Sequence, residues 1–289
     1  MLTMITSNRE SAAGWRQIVT DMWRMEPLLV WTAVVLGLVA LPSAAGIWLD
    51  PRVITGAPAW LKPFKFAVST AIYAVTLAWV FTYLPGWPRV RRIVGRTTAI
   101  VLLLELGIID VQAWRGTTSH FNVGTPLDAV LFAVMGLGIF LQTLSTSAVA
   151  VALWRQTFAD AAMGWALRLG MTLSIVGAFT GALMTSPTPA QLEVARATQH
   201  MPVSGAHTVG GPDGGPGLVV TGWSTQHGDL RAPHFVGLHA LQALPFVAFL
   251  LPRRPERVRL RLTLAAAAIY GSAFVWLLVQ ALHGIPLIR

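Results

Sequence analysis

Apolar residues gather in this chain into seven runs, at 27–49, 66–84, 95–114, 127–154, 162–185, 234–251 and 262–283. Each is near the roughly 20 residues that a helix needs to cross a bilayer, and none shows the two-residue alternation of a membrane-barrel strand. The pattern predicts an all-α polytopic membrane protein, a bundle of about seven transmembrane helices. It divides the chain into an interfacial segment, 1–26, and a transmembrane domain, 27–289. In the first of these, Trp15, Ile18, Val19 and Met22 recur at helical spacing with Arg16, Gln17 and Asp21 between them. That spacing predicts a short amphipathic helix lying in the membrane interface. The run at 27–49 is too long for a signal-peptide core and reads as a retained span.

Most connections between runs are short, so neighbouring helices are expected to be antiparallel. The segment 186–233 is the exception. A connection of that length is either disordered or functional, and Trp223, Val219, Val220 and Leu230 are groups that bury. Glycines between 210 and 217 supply turns where backbone can approach closely. The expectation is a short helix over 190–198 followed by a structured cap over the mouth of the bundle. Orientation follows from the basic residues: with a cytoplasmic N-terminus, 14 of the 21 Lys and Arg fall inside, most of them in the loops at 89–96 and 253–261. The positive-inside rule then puts the chain in the inner membrane, its N-terminus cytoplasmic and its cap extracytoplasmic.

Composition agrees with this placement. Hydrophobic residues make up 54% and charged residues 11%, against about 25% charged in a soluble domain. Basic loops facing anionic membrane lipid account for the net charge of +9, so no nucleic-acid partner is implied. There is no cysteine, which excludes disulfides, thiolate metal sites and thiol nucleophiles. Phosphate-loop, nucleotide-fingerprint, GxSxG and HExxH motifs are also missing.

The candidate chemistry lies with histidine. On the predicted topology all seven, at 120, 200, 207, 227, 234, 239 and 283, fall on the extracytoplasmic side. Imidazole is a common metal ligand and titrates near neutral pH. His120, His207, His234 and His239 are the candidate ligands. Five helical residues turn through about 500°, so His234 and His239 converge only if His234 lies in a non-helical entry, which Pro233 would permit. Gln242 shares the face of His239, and Pro245 should kink the helix. Among the acids, Glu105 lies mid-span, where a polar partner from the 142–147 stretch would suit it, and Asp110 near the outer end is placed to orient a histidine. Asp229 is a third candidate. Thr125, Pro126 and Asp128 read as a helix cap rather than as chemistry. Lys62, Lys65, Arg231, Arg115 and Asn122 stand near the mouth, where the cations could hold an anionic head group or carboxylate. Trp276, Gln280 and His283 share a stripe explained by interfacial anchoring.

These residues predict a membrane metalloprotein with a zinc, copper or iron centre under the cap. It would be an oxidoreductase or metal-dependent hydrolase acting on an apolar or amphiphilic, lipid-like small molecule. Two alternatives fit the same residues. One is a haem b electron-transfer protein with two axial ligands from His120, His239 and His283; the other is a proton-coupled transporter or channel using Glu105.

Overall fold

A computed structural model of the chain describes the backbone of residues 2–252 and 254–288, with side chains from residue 14 onward. In chain order the elements are α1 (Leu2–Met25), α2 (Pro27–Leu49), β1 (Val53–Ile54), β2 (Ala57–Pro58), α3 (Leu61–Phe81), α4 (Pro88–Trp114), α5 (Pro126–Arg155), α6 (Ala161–Leu183) and α7 (Pro189–Thr198). They continue with β3 (Thr208–Val209), β4 (Gly228–Asp229), α8 (Arg231–Leu238), α9 (Ala240–Phe249) and α10 (Glu256–Leu282). The strands form two short antiparallel ladders, β1 with β2 and β3 with β4.

Five helices, α2, α3, α5, α6 and α10, are long and apolar enough to cross a membrane. A sixth crossing results if α8 and α9, bent by 44° at their junction, are one span. α4 has 27 residues and packs against α2, α3 and α5, with Glu105 buried. Outward faces carry large apolar side chains such as Leu41, Leu137, Phe140 and Ile269. In water such surfaces would be costly; a hydrocarbon solvent removes the cost.

Two groups of helices make up the bundle. α2, α3 and α4 pack on one another, and α6 packs on α8, α9 and α10, while α5 joins the groups through α4 and α6. Gln242 of α9 donates to Thr76 Oγ1 of α3 at 3.2 Å and ties them again. Between them lies the main core, which includes Leu29, Leu77, Phe81, Leu153, Leu167, Met171, Leu241 and Leu244. The residues at 52–60, 115–125, 184–230 and 283–288 meet at one end, here called the histidine end. Arg52 donates to Trp114 O, Lys65 to Thr221 O, and Asn122 pairs with Val203.

Helix boundaries follow local chemistry. Thr125 caps α5 by accepting from Asp128 N at 3.1 Å, with Pro126 in the first turn, as the sequence predicts. α7 carries a full capping box, Thr188 with Gln191. The 234–251 run differs from expectation in two ways. Asp229 accepts from Arg231 N at 3.0 Å and starts α8 at Arg231, so His234 is helical rather than part of a non-helical entry. Pro233 then lies in the first turn, where its missing N–H costs little. The break falls not at Pro245, which sits inside α9, but at His239. There Ser174 of α6 donates to Leu238 O at 2.9 Å and accepts from Leu241 N at 3.2 Å, replacing bonds that the break removes.

Candidate functional site

A stripe of small residues on α6 positions the site. Gly170, Ser174, Gly177 and Gly181 lie on one face at successive helical turns and let α8 and α9 approach closely. A Cβ at Gly170 would lie 2.9 Å from Ala240 O, and one at Gly177 would lie 2.5 Å from the carbonyl carbon of Gly237. Contact this close brings His234 over Gly181 and within 2.8 Å of Gly177 O, measured from Nδ1. Thr180 Oγ1 is 3.2 Å from the same nitrogen.

His120 reaches the site from the 115–125 connection. Phe121 beside it has φ +65°, a left-handed turn rare for a bulky residue. Asn122 stabilises that turn: its amide donates to Thr117 Oγ1 and Thr118 O, and its Oδ1 accepts from Gly124 N. Around the His120 ring are Phe66, Phe121 and Phe132 at centroid distances of 5.6, 6.1 and 6.4 Å. Ser119 Oγ lies 3.1 Å from Nδ1, and buried Glu105 approaches Nε2 to 3.6 Å. Burial in apolar surroundings, reinforced by positive charge from Lys62, His207 and His234, holds the ring's pKa well below the usual 6.5.

His207 is delivered by the long connection. Gly205, at φ +113°, passes between Phe121 and the Met184–Thr185 backbone that follows α6, where a side chain would collide with both. Gln191 clamps it, accepting from Gly205 N at 3.0 Å and donating to Gly205 O at 2.8 Å. The His207 ring lies 4.8 Å from that of Phe121. Its Nδ1 is 2.8 Å from Asp213 Oδ2. Asp213 also accepts from the backbone amides of His207 and Thr208 and from the Thr208 hydroxyl. Those donors hold its carboxyl well below the usual carboxylate range. Burial lowers His207 as well, against the upward pull of Asp213.

Three imidazoles from separate segments thus share one arrangement. Each has Nδ1 beside a partner, a hydroxyl for His120, a carboxylate for His207 and a carbonyl for His234. Among the described residues Nε2 of His207 and of His234 makes no hydrogen bond, and that of His120 faces Glu105. No three His, Asp or Glu side chains among the described residues are already grouped to hold a metal ion.

Other expected participants are placed differently. Asp110 contacts no histidine; its Oδ1 is buried without a partner, and Glu105 occupies the position beside His120. The 142–147 stretch turns to Tyr73 instead of Glu105, through Gln142 and Thr146. Asp229 is buried against Arg231 at 2.6 Å and also accepts from Ser224 N. Arg231 and Lys65 hold the carbonyls of Gly222 and Thr221, so both pin the long connection. Arg115 is taken by Asp128 at 2.6 Å, while Lys62 lies 5.8 Å from the Phe66 ring centre. Gln242 bonds Thr76 and leaves Oε1 without a partner, and the His239 ring packs tilted against Phe235 with centroids 4.2 Å apart. His200 and His283 are exposed, and the His227 ring packs on Gly211. Sequence reasoning missed Ser119, Asp213, Gly177 and Thr180, and the three phenylalanines. Only Asp213 had a visible signal, as a charged residue inside a glycine-proline turn. No protein family, curated protein or solved structure matches this chain.

Proposed function

We propose that this is an integral membrane metalloprotein whose histidine end faces the extracytoplasmic side of the inner membrane. In this reading α4 and the bent α8–α9 pair complete seven crossings, and the 184–230 connection is the cap. Basic residues at the opposite end favour that orientation. One observation supports the metal reading: His120, His207 and His234 each have Nδ1 beside a fixed partner, and among the described residues Nε2 of His207 and of His234 makes no hydrogen bond. Metal-bound histidines characteristically have their second nitrogen fixed in this way, which selects the tautomer and aims the lone pair. Rotation of the three rings, with Glu105 as an oxygen donor or proton acceptor, would give a nitrogen and oxygen set suited to zinc, copper or iron. Bound there, the ion would act as a Lewis acid or a redox centre. Apolar walls from Phe66, Phe121 and Phe132 suit a lipid-like or otherwise apolar substrate.

Elemental analysis and absorption spectroscopy of detergent-purified protein test this. The expected result is about one equivalent of a transition metal, lost in His120→Ala, His207→Ala and His234→Ala. A Soret band would instead assign the centre to haem b packed on the phenylalanines. Protein that stays metal-free and colourless after incubation with zinc, copper, iron and haemin overturns the proposal.

The Glu105–His120 contact favours a second reading, a proton relay in a coupled transporter. It requires that Glu105→Gln abolish substrate flux in proteoliposomes while His234→Ala only weakens it.

A further inference from the structure

At the end of the bundle opposite the histidines, a cleft of about 330 Å³ opens between the α1–α2 junction and the start of α4. Met25, Glu26, Pro88, Arg91, Arg92 and Arg96 line it. Among the described residues none of the three arginines has a carboxylate within ion-pair distance. Arg91 is the one of the three with a buried nitrogen that lacks a partner. Its Nη1 meets Met25 Sδ at 2.6 Å and Met25 O at 3.5 Å, and its Nε is buried with no partner. A thioether is a weak acceptor, and a buried N–H left without an acceptor is costly.

The first turn of α4 adds to the field. Pro88 opens it and Trp87 provides no side-chain cap, so the leading amides and the positive end of the helix dipole face the same region. Glu26 is the carboxyl in this lining, and it is buried against Gly95. Burial raises its pKa, and the three arginines oppose that rise. When protonated it would repel no anion and could donate to one.

We propose that this cleft binds a phosphate oxyanion, with Arg91 and Arg96 as the principal donors and Arg92 at the rim. Guanidinium forks match phosphate oxygens two at a time, which supplies the acceptors that Arg91 lacks. The cleft lies where the apolar run of α2 begins, with Pro27 and Leu28 of its first turn in the lining. That is the depth of a lipid head group, so a phospholipid phosphate and free inorganic phosphate share the required chemistry.

Native mass spectrometry of the full chain with phosphatidylglycerol or phosphatidylcholine, alongside thermal unfolding with inorganic phosphate, separates the sources. A lipid site retains phosphatidylglycerol over phosphatidylcholine; a free-anion site shows stabilisation by phosphate and no lipid preference. Arg91→Gln/Arg96→Gln should weaken whichever ligand binds by about tenfold or more, the equivalent of one charge-assisted contact. Arg89→Gln, outside the cleft, should not. Should the double variant fail to fold, Arg92→Gln alone must still weaken binding measurably. The proposal is overturned if neither ligand binds, if the cleft variants bind like the parent, or if Arg89→Gln loses as much.

Discussion

Substituting Gly177 by alanine tests whether the α6–α8 approach holds the histidine end together. The new Cβ would lie 2.5 Å from the carbonyl carbon of Gly237, whereas ordinary contact begins at 3.4 Å. Backbone cannot rotate aside as a side chain can, so the helices must separate by about 0.9 Å, an overpacking strain of about 1–3 kcal/mol. The Nδ1 of His234 is 2.8 Å from Gly177 O. An opening of that size along the bond takes it past hydrogen-bonding distance. Thermal unfolding in detergent should therefore show a lower Tm for Gly177→Ala than for the parent. Gly136→Ala on exposed α5 is the control: nothing lies within 4 Å of its added Cβ. Relief of glycine's backbone freedom should leave that variant equal to the parent or more stable by up to about 1 kcal/mol. If Gly177→Ala unfolds at the same temperature as Gly136→Ala, the close crossing is not what positions α8.

Two further outcomes follow from the 115–125 and 184–230 connections. His120 and His207 both titrate below 6.5 when folded. Below that pH the unfolded chain takes up protons that the folded chain refuses, so stability should fall with pH by up to about 1.4 kcal/mol per unit for each histidine. Asp213 adds a loss in the same direction only near pH 4 and below, where its unfolded carboxyl protonates while the folded one resists. A Tm unchanged between pH 8 and about pH 5.5 would contradict the burial of both rings. Asp213→Asn gives up charge-assisted bonds to His207 and Thr208 and should cost about 2 kcal/mol or more. Limited proteolysis should then cut faster between residues 199 and 222; cutting at the parent rate would show that the carboxylate does not order this segment.

The long apolar runs made the helices legible, and five of them, or six with the bent pair, are long and apolar enough to cross a membrane. The 27–49 run coincides with α2 and the 127–154 and 162–185 runs lie within two residues of α5 and α6, whereas α3, α4 and α10 begin five to seven residues before their runs. Caps were equally readable, since Thr125 and Asp128 act on their own backbone. Long-range partners were not. Asp110 and Glu105 differ by less than two helical turns, so either acid could have been placed beside His120 by composition alone. The choice depends on how α4 is rotated against the 115–125 turn. The break at His239 was hidden for a similar reason: the serine that satisfies its free backbone groups lies on another helix, while the proline within α9 looked like the stronger signal.

Because a single hydroxyl from α6 satisfies both loose ends at the break, α8 and α9 can meet at 44° as two arms anchored on one serine. Each arm takes its direction from a different neighbour: α9 from the core around Leu244, and α8, with its imidazole, from the contact of Gly237 with Gly177.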